Sequence, residues 1–312
     1  VVKIYSKASS KGYWKTRVMN QLKNFFNRSL KATYAFTLCM ALTLGATYFA
    51  YRSSKLENAG RFDRTVVTIS NTLRSRMTVY LNALVYTNNL FGIKPNLTSR
   101  DFNDFVQGMH LQENFPGIQT MGYVERLTRK QAKKKVTELN LPVQELEFHP
   151  TLDEVDLVVY FAQLQSNSSK ALGRDLGISP ERKKAMNEAR DLGVPVASNK
   201  VVPMGISGPV TYAFLVFMPR YRIGSDISTV ENRRKALIGF VYSGFRAPNL
   251  FGRVSDDVRM QNANLAIRIY DGVGTSESQL MYTEGNFAET DPDLSRVIEL
   301  RAANHIWTLE VA

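Results

Sequence analysis

Residues 32–51 form an uncharged run of twenty residues, and this run constrains the chain more than any other feature. At about 1.5 Å of rise per residue it makes a helix of roughly 30 Å, which matches the hydrocarbon thickness of a bilayer. The alternatives are a buried helix of a soluble core and a cleaved signal peptide. The run exceeds the apolar part of a signal peptide, and no small-residue cleavage site follows it. We therefore predict a retained membrane-spanning helix.

The charges before this run predict its orientation. Residues 1–31 carry eight Lys and Arg side chains and no acidic one, so they account for eight of the twelve net positive charges. Basic residues flank membrane helices on the cytoplasmic side. The pattern predicts a basic cytoplasmic tail at 1–31, an anchor in the cell inner membrane, and residues 53–312 in the periplasm or extracellular space. Because the basic excess lies beside anionic lipid, we expect no nucleic-acid partner.

The exported residues carry few of the groups that catalysis uses. The single cysteine, Cys39, lies in the anchor, so the exported part contains no disulfide, as a large periplasmic domain can tolerate. The histidines, His110, His149 and His305, have no partner at metal-ligand spacing. No phosphate loop, dinucleotide fingerprint or serine-hydrolase motif occurs. We predict no metal, no cofactor and no enzyme activity here. A membrane-anchored structural or interaction protein without a ligand is the main alternative, and an exported hydrolase is a weaker one.

Residues 52–92 have the pattern of a long stalk helix. Apolar positions recur in alternating steps of four and three, interrupted once at Arg76. Such a seam is what two helices need to pair along their length, and it predicts a homodimer through the stalk. A single amphipathic helix packed on its own domain produces the same pattern, and both interpretations stay open. The seam positions are Phe62, Val66, Ile69, Leu73, Tyr80, Leu84, Thr87 and Phe91.

Beyond the stalk, short helices alternate with strands, which predicts an α+β fold of sheets with helices packed on one face. A boundary near residues 246–261, within a short helix, divides it into domains at 93–246 and 247–312. Polar residues 223–235 are predicted to be an exposed loop. Helices are predicted at 100–109 with Ser99 as the cap, 128–139, 180–192 and 292–303. Strands are predicted at 117–124, 157–164, 194–197, 210–218, 237–245, 263–270, 279–282 and 305–312.

An ordered series of short motifs over residues 98–255 resembles a CHASE domain, the extracellular sensor of many receptor histidine kinases and nucleotide cyclases. The motifs are Pro116-Gly117-Ile118-Gln119, Gly122-Tyr123 with Arg126, Pro180-Glu181-Arg182, Ala189-Arg190-Asp191 with Gly193, Val196-Ala197-Ser198, Phe217 with Pro219 and Tyr221-Arg222, and Gly239-Phe240-Val241 with Phe245.

This resemblance implies a long stalk helix followed by two PAS-like mixed α/β domains in tandem, dimerised through the stalks. It implies a sensor that binds a small molecule or peptide and passes a signal to a cytoplasmic output domain, a histidine kinase or a nucleotide or diguanylate cyclase. It also implies a second spanning helix after the membrane-proximal domain, so we expect these residues to be a fragment of a longer receptor.

The resemblance further implies a ligand site in the domain at 93–246. By equal spacing in the plant cytokinin receptors of this family, a ligand-contacting aspartate falls on Asp175 and a backbone contact on Ala197. The bulky Phe217 stands where those receptors have a small threonine, so it is expected to fill part of the pocket. A turn in which the Asp175 carboxylate binds its own backbone is the alternative.

The composition of the strands suggests the walls of that site. Tyr160, Tyr212, Phe214 and Met218 are apolar or aromatic residues of predicted strands, and curved strands carrying such side chains make a ligand cleft. Ordinary sheet core is the alternative for each of them. We expect the pocket between strands 157–164, 194–198 and 210–218, and no comparable one after residue 246.

Overall fold

The computed structural model describes residues 10–94, 96–115, 117–141, 151–163, 171–203, 211–252, 265–290 and 293–312. Pro116, Val210 and residues 253–264, on which parts of the predicted strands and of the boundary helix fall, lie outside the described residues. The chain divides into two compact units, Val1–Asp63 and Arg64–Ala312. Both sheets and all their contacts belong to the second unit.

Helix α1 spans Ser10–Ile93 and includes both the uncharged run and the predicted stalk. Among the described residues, Leu30–Ile93 is the one helix that is long and apolar enough to cross a membrane, by length and composition. Inside the uncharged run, the hydroxyls of Thr37, Thr43 and Thr47 donate to carbonyls one turn earlier. Their polar groups are thus satisfied within the helix, as a membrane span requires. The helix is consistent with the anchor predicted at 32–51.

The stalk seam packs on the first sheet of its own chain. The Tyr80 ring packs beside Phe245, with 5.6 Å between ring centroids, and the Phe91 ring centroid lies 4.5 Å from that of Tyr123. Met77, which directly follows the interrupting Arg76, is only 1% exposed. The seam therefore serves intramolecular packing here, and a stalk dimer stays a prediction that requires another face of α1. The seam residues buried to 6% exposure or less are Val66, Ile69, Leu73, Tyr80, Leu84, Thr87 and Phe91.

Side-chain caps define the shorter helices. Thr98, not the predicted Ser99, caps α2 (Ser99–Gly108), because its hydroxyl and the Asp101 carboxylate satisfy each other's backbone amides. A short helix α3 (Leu111–Asn114) follows, and Thr128 caps α4 (Arg129–Glu138). Helix α5 (Pro180–Leu192) begins after its cap Ser179 and ends at Gly193, which adopts a left-handed conformation with φ of 74°. The predicted bounds of α5 are confirmed.

Five antiparallel strands form the first sheet, in the order β2-β1-β5-β4-β3. Cross-strand partners share a face, so the register separates the side chains into two sets. One face carries Tyr123 and Phe245 and packs on α1. The other carries Phe217 and Tyr242 and packs with the apolar residues of α5. The strands are β1 (Ile118–Thr128), β2 (Glu154–Gln163), β3 (Val196–Ala197), β4 (Ala213–Tyr221) and β5 (Leu237–Arg246).

Four antiparallel strands form the second sheet, in the order β7-β6-β9-β8. Its core is built from large side chains that are almost fully buried, with Trp307 and Tyr270 each 1% exposed. The strands are β6 (Ile267–Asp271), β7 (Leu280–Glu284), β8 (Arg296–Ala302) and β9 (His305–Val311). The two antiparallel sheets and the long helix confirm the α+β class.

Two predicted elements are wrong. Residues 296–302 form strand β8, not part of a helix at 292–303, because the two-residue turn Ala303-Asn304, with φ of 48° and 51°, returns the chain directly into β9. Part of the predicted loop at 223–235 is helix α6 (Val230–Ala236), whose cap Thr229 accepts from the amide of Asn232. The short helix predicted after residue 246 is helical at 247–252.

Hydrogen bonds join the two sheets at one junction. The amide of Ala197 donates to the carbonyl of Ala303 at 2.8 Å, which ties β3 to the β8–β9 turn. The amide of Lys200 donates to Asp271 Oδ2 at 2.9 Å, and the other oxygen of that carboxylate binds His305 at 2.7 Å. The short edge strand of the first sheet and the residues that follow it thus contribute hydrogen bonds to the second sheet.

Candidate functional site

A buried ionic cluster lies where β1, β2 and α5 meet. Asp156 of β2 is fully buried, and its carboxylate accepts from Arg126 Nε at 2.7 Å and from Lys183 Nζ at 2.8 Å. Arg126 also donates to the Asn187 side chain at 2.9 Å. Two cations and several hydrogen bonds compensate the buried Asp156 carboxylate, so this part of the cluster is a closed structural network.

Asp175 borders this cluster and has the geometry of the turn alternative. Its Oδ1 accepts from the amides of Gly177 at 2.8 Å and Asp156 at 2.9 Å. A Cβ on Gly177 would lie 2.7 Å from the Asp156 carboxylate, so the turn requires glycine. Asp175 is 3% exposed, and its Oδ2 has no hydrogen-bond partner within the described part of the chain. Burial raises the pKa of Asp175. One carboxylate oxygen therefore holds the turn, and the other is left buried and unpaired.

Three of the predicted wall residues lie on the sheet face that packs on α1. Tyr160 stacks on Phe102, with 5.6 Å between centroids, and donates its hydroxyl to a backbone carbonyl at 2.7 Å. Phe214 lies 4.9 Å from Trp307. Met218 of β4 pairs with Val241 of β5, which also pairs with Tyr123 of β1, so Met218 lies on the same face of the sheet as Tyr123. Tyr160 thus belongs to the core between the sheet and α1, where it also contacts Phe91, whereas Phe214 packs between Phe245 and Trp307 of the second sheet.

The other predicted residues lie elsewhere. Tyr212 and Ala197 lie at the junction between the sheets, where Lys200 Nζ sits 4.2 Å from the Tyr212 ring centroid. Phe217 is fully buried in the core beneath α5. Strands β2 and β3 are opposite edges of the sheet, and the named side chains lie on both of its faces, so the structure does not bring all of them together. The ligand role of each residue taken singly stays a prediction.

Sequence reasoning missed the most unusual polar side chain of the α5 face. Arg182 is 6% exposed, and its Nε has no hydrogen-bond partner. Its guanidinium forms no ion pair with any described residue, and burial lowers its pKa. A helical signal was present in the sequence, because Arg182 precedes Ala185, Met186 and Ala189 by three, four and seven residues. That spacing places an arginine on the apolar stripe of the helix.

A cavity of about 280 Å³ opens at the junction of the two sheets. Lys184 and Glu188 of α5 line one side, and the β8–β9 turn lines the other with Asn304 and His305. The Asn304 side chain donates to Glu188 at 2.5 Å, and Ala197 contributes to the wall. Of the predicted site residues, only Ala197 borders this cavity.

Several solved structures are similar to this chain. An extracellular ligand binding receptor from Desulfohalobium retbaense DSM5692 matches with a TM-score of 0.50 and 10% identity, over 80% of this chain and 40% of that one. A methyl-accepting chemotaxis protein X matches with a TM-score of 0.48 and 11% identity, over 80% of this chain and 95% of that one. The ligand-binding domain of the Pseudomonas aeruginosa PAO1 amino acid chemoreceptor PctC, in complex with GABA, matches with a TM-score of 0.44 and 7% identity. The match covers 78% of this chain and 95% of that one. No curated protein matches the chain in sequence.

The sequence profile of the CHASE domain matches residues 95–282, which is more than half of the chain. The matched residues contain the whole first sheet, helix α5, strand β6 and most of strand β7. They include the motifs at Gly122, Arg182 and Gly239, each of which lies in the sheet or in α5. The chain therefore belongs to the CHASE family of extracellular sensor domains.

Proposed function

We propose that this chain is the ligand-sensing region of a membrane receptor, with the N-terminus in the cytoplasm and residues 53–312 in the periplasm or extracellular space. The ligand is a small molecule or a peptide, and it binds in the domain at 93–246. The signal passes along a dimer of stalk helices to a cytoplasmic kinase or cyclase module. The family membership and the apolar part of α1 support the sensor and anchor parts of this proposal.

One observation supports the coupling step most directly, namely that the sensor sheet contacts the end of the stalk. Arg220 of β4 donates to the carbonyls of Asn88 and Phe91 in the last turns of α1, at 3.5 and 3.4 Å. Cations are favourable at the C-terminal end of a helix because the last carbonyls lack intrahelical partners. A change in the position of β4 would therefore be transmitted to α1 through this side chain.

The two faces of the first sheet differ in the side chains that cover them. The α1 face is filled by the stalk seam and by aromatic residues such as Tyr160 and Phe214. The α5 face carries two buried charged groups, Asp175 and Arg182, each with a side-chain atom that has no hydrogen-bond partner among the described residues. Since an unpaired buried polar group is costly unless something binds it, we place the ligand on the α5 face. Asp175 Oδ2 is then a candidate acceptor for a ligand donor.

A ligand screen tests the proposal. The full chain is purified in detergent and its melting temperature is measured against a panel of metabolites and short peptides. A ligand present at a hundred times its dissociation constant adds about 2.7 kcal/mol to the stability of the folded state. The sensor proposal expects at least one compound to raise the melting temperature. A panel without any stabilising compound would favour the alternative of an anchored structural protein.

A further inference from the structure

The junction cavity, the space bordered by α5 on one side and by the β8–β9 turn on the other, can hold a small molecule. Its volume is about 280 Å³. Liquid water takes about 30 Å³ per molecule, so the cavity has room for about nine waters or for an organic molecule of about ten non-hydrogen atoms. Pockets for drug-sized ligands are larger than this, and the size therefore favours a small ligand.

Backbone hydrogen bonds and short side chains shape the walls of the junction cavity. The amide of Gly272 donates to the carbonyl of Ile306 at 2.9 Å, which joins two of the lining residues. Gly272 has φ of 91°, a left-handed conformation that favours glycine. Ala185 and Ala197 also line the cavity, and each is only 4% exposed. The cavity is therefore part of the fold itself, as small-molecule sites usually are, and its apolar wall suits a short hydrocarbon body.

Two side chains of opposite charge line the junction cavity without pairing with each other. Lys184 and Glu188 lie four residues apart and therefore on the same side of α5. Lys184 is exposed, and within the described part of the chain its ammonium has no ion pair or hydrogen bond. One oxygen of Glu188 accepts from the Asn304 side chain at 2.5 Å, and the other accepts from no described residue. The cavity thus presents an unpaired cation beside a carboxylate with one unused oxygen.

We infer that the junction cavity is a second ligand site, and that it binds a small zwitterion whose carboxylate contacts Lys184 and whose ammonium contacts Glu188. Both contacts are charge-assisted hydrogen bonds, which are the stronger kind. A simple anion would be repelled by Glu188 and a simple cation by Lys184, because like charges repel at short range. A molecule with both charges matches both side chains.

The inference goes beyond the proposed function, because a ligand in the junction cavity contacts both sheets. Lys184 and Glu188 belong to the helix that packs on the first sheet, whereas Gly272 and Asn304 belong to turns of the second. The amides of Ala197 and Lys200 already link the sheets at this junction. A bound zwitterion adds contacts of the same kind and stabilises the junction whether or not the sensor site is filled.

Matched derivatives test the requirement for both charges. Glycine, alanine, serine, proline and β-alanine are titrated into the full chain in detergent, and the heat of binding is measured by calorimetry. For each zwitterion that binds, the N-acetyl derivative keeps only the carboxylate and the amide derivative keeps only the ammonium. We expect at least one zwitterion to bind, and both of its derivatives to bind at least about tenfold more weakly. A derivative that binds as tightly as its zwitterion, or a panel in which no zwitterion binds, overturns the inference.

Variants of the two charged residues test the location. Lys184→Met and Glu188→Gln should each lower the affinity for the zwitterion about tenfold or more, because each removes one charge-assisted contact. Glu188→Gln keeps an oxygen that can accept from Asn304, so the wall of the cavity should persist. Lys130→Met, which removes an exposed lysine of α4, is the control and should bind like the wild type. The melting temperature of each variant without ligand verifies that it is folded.

The outcomes separate this inference from the sensor proposal. If a zwitterion binds wild type, Lys184→Met and Glu188→Gln equally, it occupies another site, and the inference about the junction cavity is wrong although the chain binds a ligand. Loss of that binding in Asp175→Asn would then place the molecule at the sensor site. If the zwitterions fail to bind but another metabolite stabilises the chain, the sensor proposal stands without the second site. Weaker binding in Lys184→Met and Glu188→Gln, with normal binding in Lys130→Met, supports the second site.

Discussion

The guanidinium of Arg220 lies over the ring of Phe91, with 4.7 Å between Cζ and the ring centroid. Arg220 belongs to β4 of the first sheet, and Phe91 belongs to the last turn of α1. The same guanidinium donates to the carbonyl of Phe91, so one side chain binds both the ring and the backbone of one residue. Arg220 is half-buried, and this burial lowers the pKa of its guanidinium.

Replacing Arg220 with methionine should destabilise the sensor by about 1–3 kcal/mol, because the contact with the Phe91 ring and the hydrogen bonds to the helix end are lost. Urea unfolding of the full chain, followed by the fluorescence of the buried Trp307, measures the change. Arg222→Met is the control, since it removes the charge of an exposed arginine two residues away. Equal effects of the two substitutions would show that the Arg220 contact with α1 contributes nothing.

The raised pKa of Asp175 predicts a pH-dependent difference between the wild type and Asp175→Asn. Burial and the nearby Asp156 carboxylate raise the pKa of Asp175 above its ordinary value of 3.8. The folded state then holds the proton more tightly than the unfolded chain. This stabilisation is fully present below pH 3.8 and is lost as the pH rises through the folded-state pKa. Because Asn does not titrate, the stability of the variant relative to the wild type should rise over that pH range.

Urea unfolding at a series of pH values from 4 to 7 measures this difference. The Asn side chain keeps the oxygen that accepts from Asp156 and Gly177, so the turn itself should persist. Asp104→Asn, which neutralises a carboxylate on the exposed side of α2, is the control. A difference that stays constant with pH would contradict the raised pKa. If Asp175 Oδ2 also binds the ligand, the same substitution should weaken binding by about 1–3 kcal/mol with the fold intact.

Lys200 links the two sheets at their junction and so acts as a clamp between them. Its Nζ donates to the carbonyls of Ser278 and Leu280 at 2.6 and 3.2 Å and lies over the Tyr212 ring. Lys200→Met should cost about 2 kcal/mol, because two charge-assisted hydrogen bonds between the sheets are lost. Lys184→Met, at an exposed lysine of the same junction, should change stability by less than about 0.5 kcal/mol. Similar losses for both variants would argue against the clamp.

A stalk dimer should use a face of α1 other than the buried seam. Val79 and Tyr86 are seven residues apart, 44% and 57% exposed, and so lie on one side of the helix. In a Cys39→Ser background, Val79→Cys and Tyr86→Cys should form disulfide-linked dimers in membranes under mild oxidation. Leu84→Cys is the control, because Leu84 is fully buried within its own chain. Cross-linking that is no stronger at Val79 and Tyr86 than at Leu84 would remove the proposed dimer face.

Local features of the sequence were sufficient for the elements that local chemistry specifies. The apolar segment of α1 follows from twenty uncharged residues, and α5 follows from a serine cap, a proline in the first turn and a glycine at the end. The strands β2, β4, β5 and β9 follow from apolar runs of strand length. The sequence does not predict strand β8, because its partner is reached through a turn of Ala303 and Asn304, neither of which is glycine.

The site depended on information that no local pattern contains. Tyr160 and Phe214 are good pocket residues by type, yet the register turns both toward α1, where they pack in the core. The stalk seam is equally suited to a second helix or to a sheet, and the fold occupies it with the sheet. Arg182 looks like an ordinary solvated arginine until the packing of α5 buries it. Spacing along the chain specifies which side chains share a face of an element, because helix and strand periods are local. What that face contacts depends on residues distant in sequence, and the same contacts decide whether a buried charge has a partner.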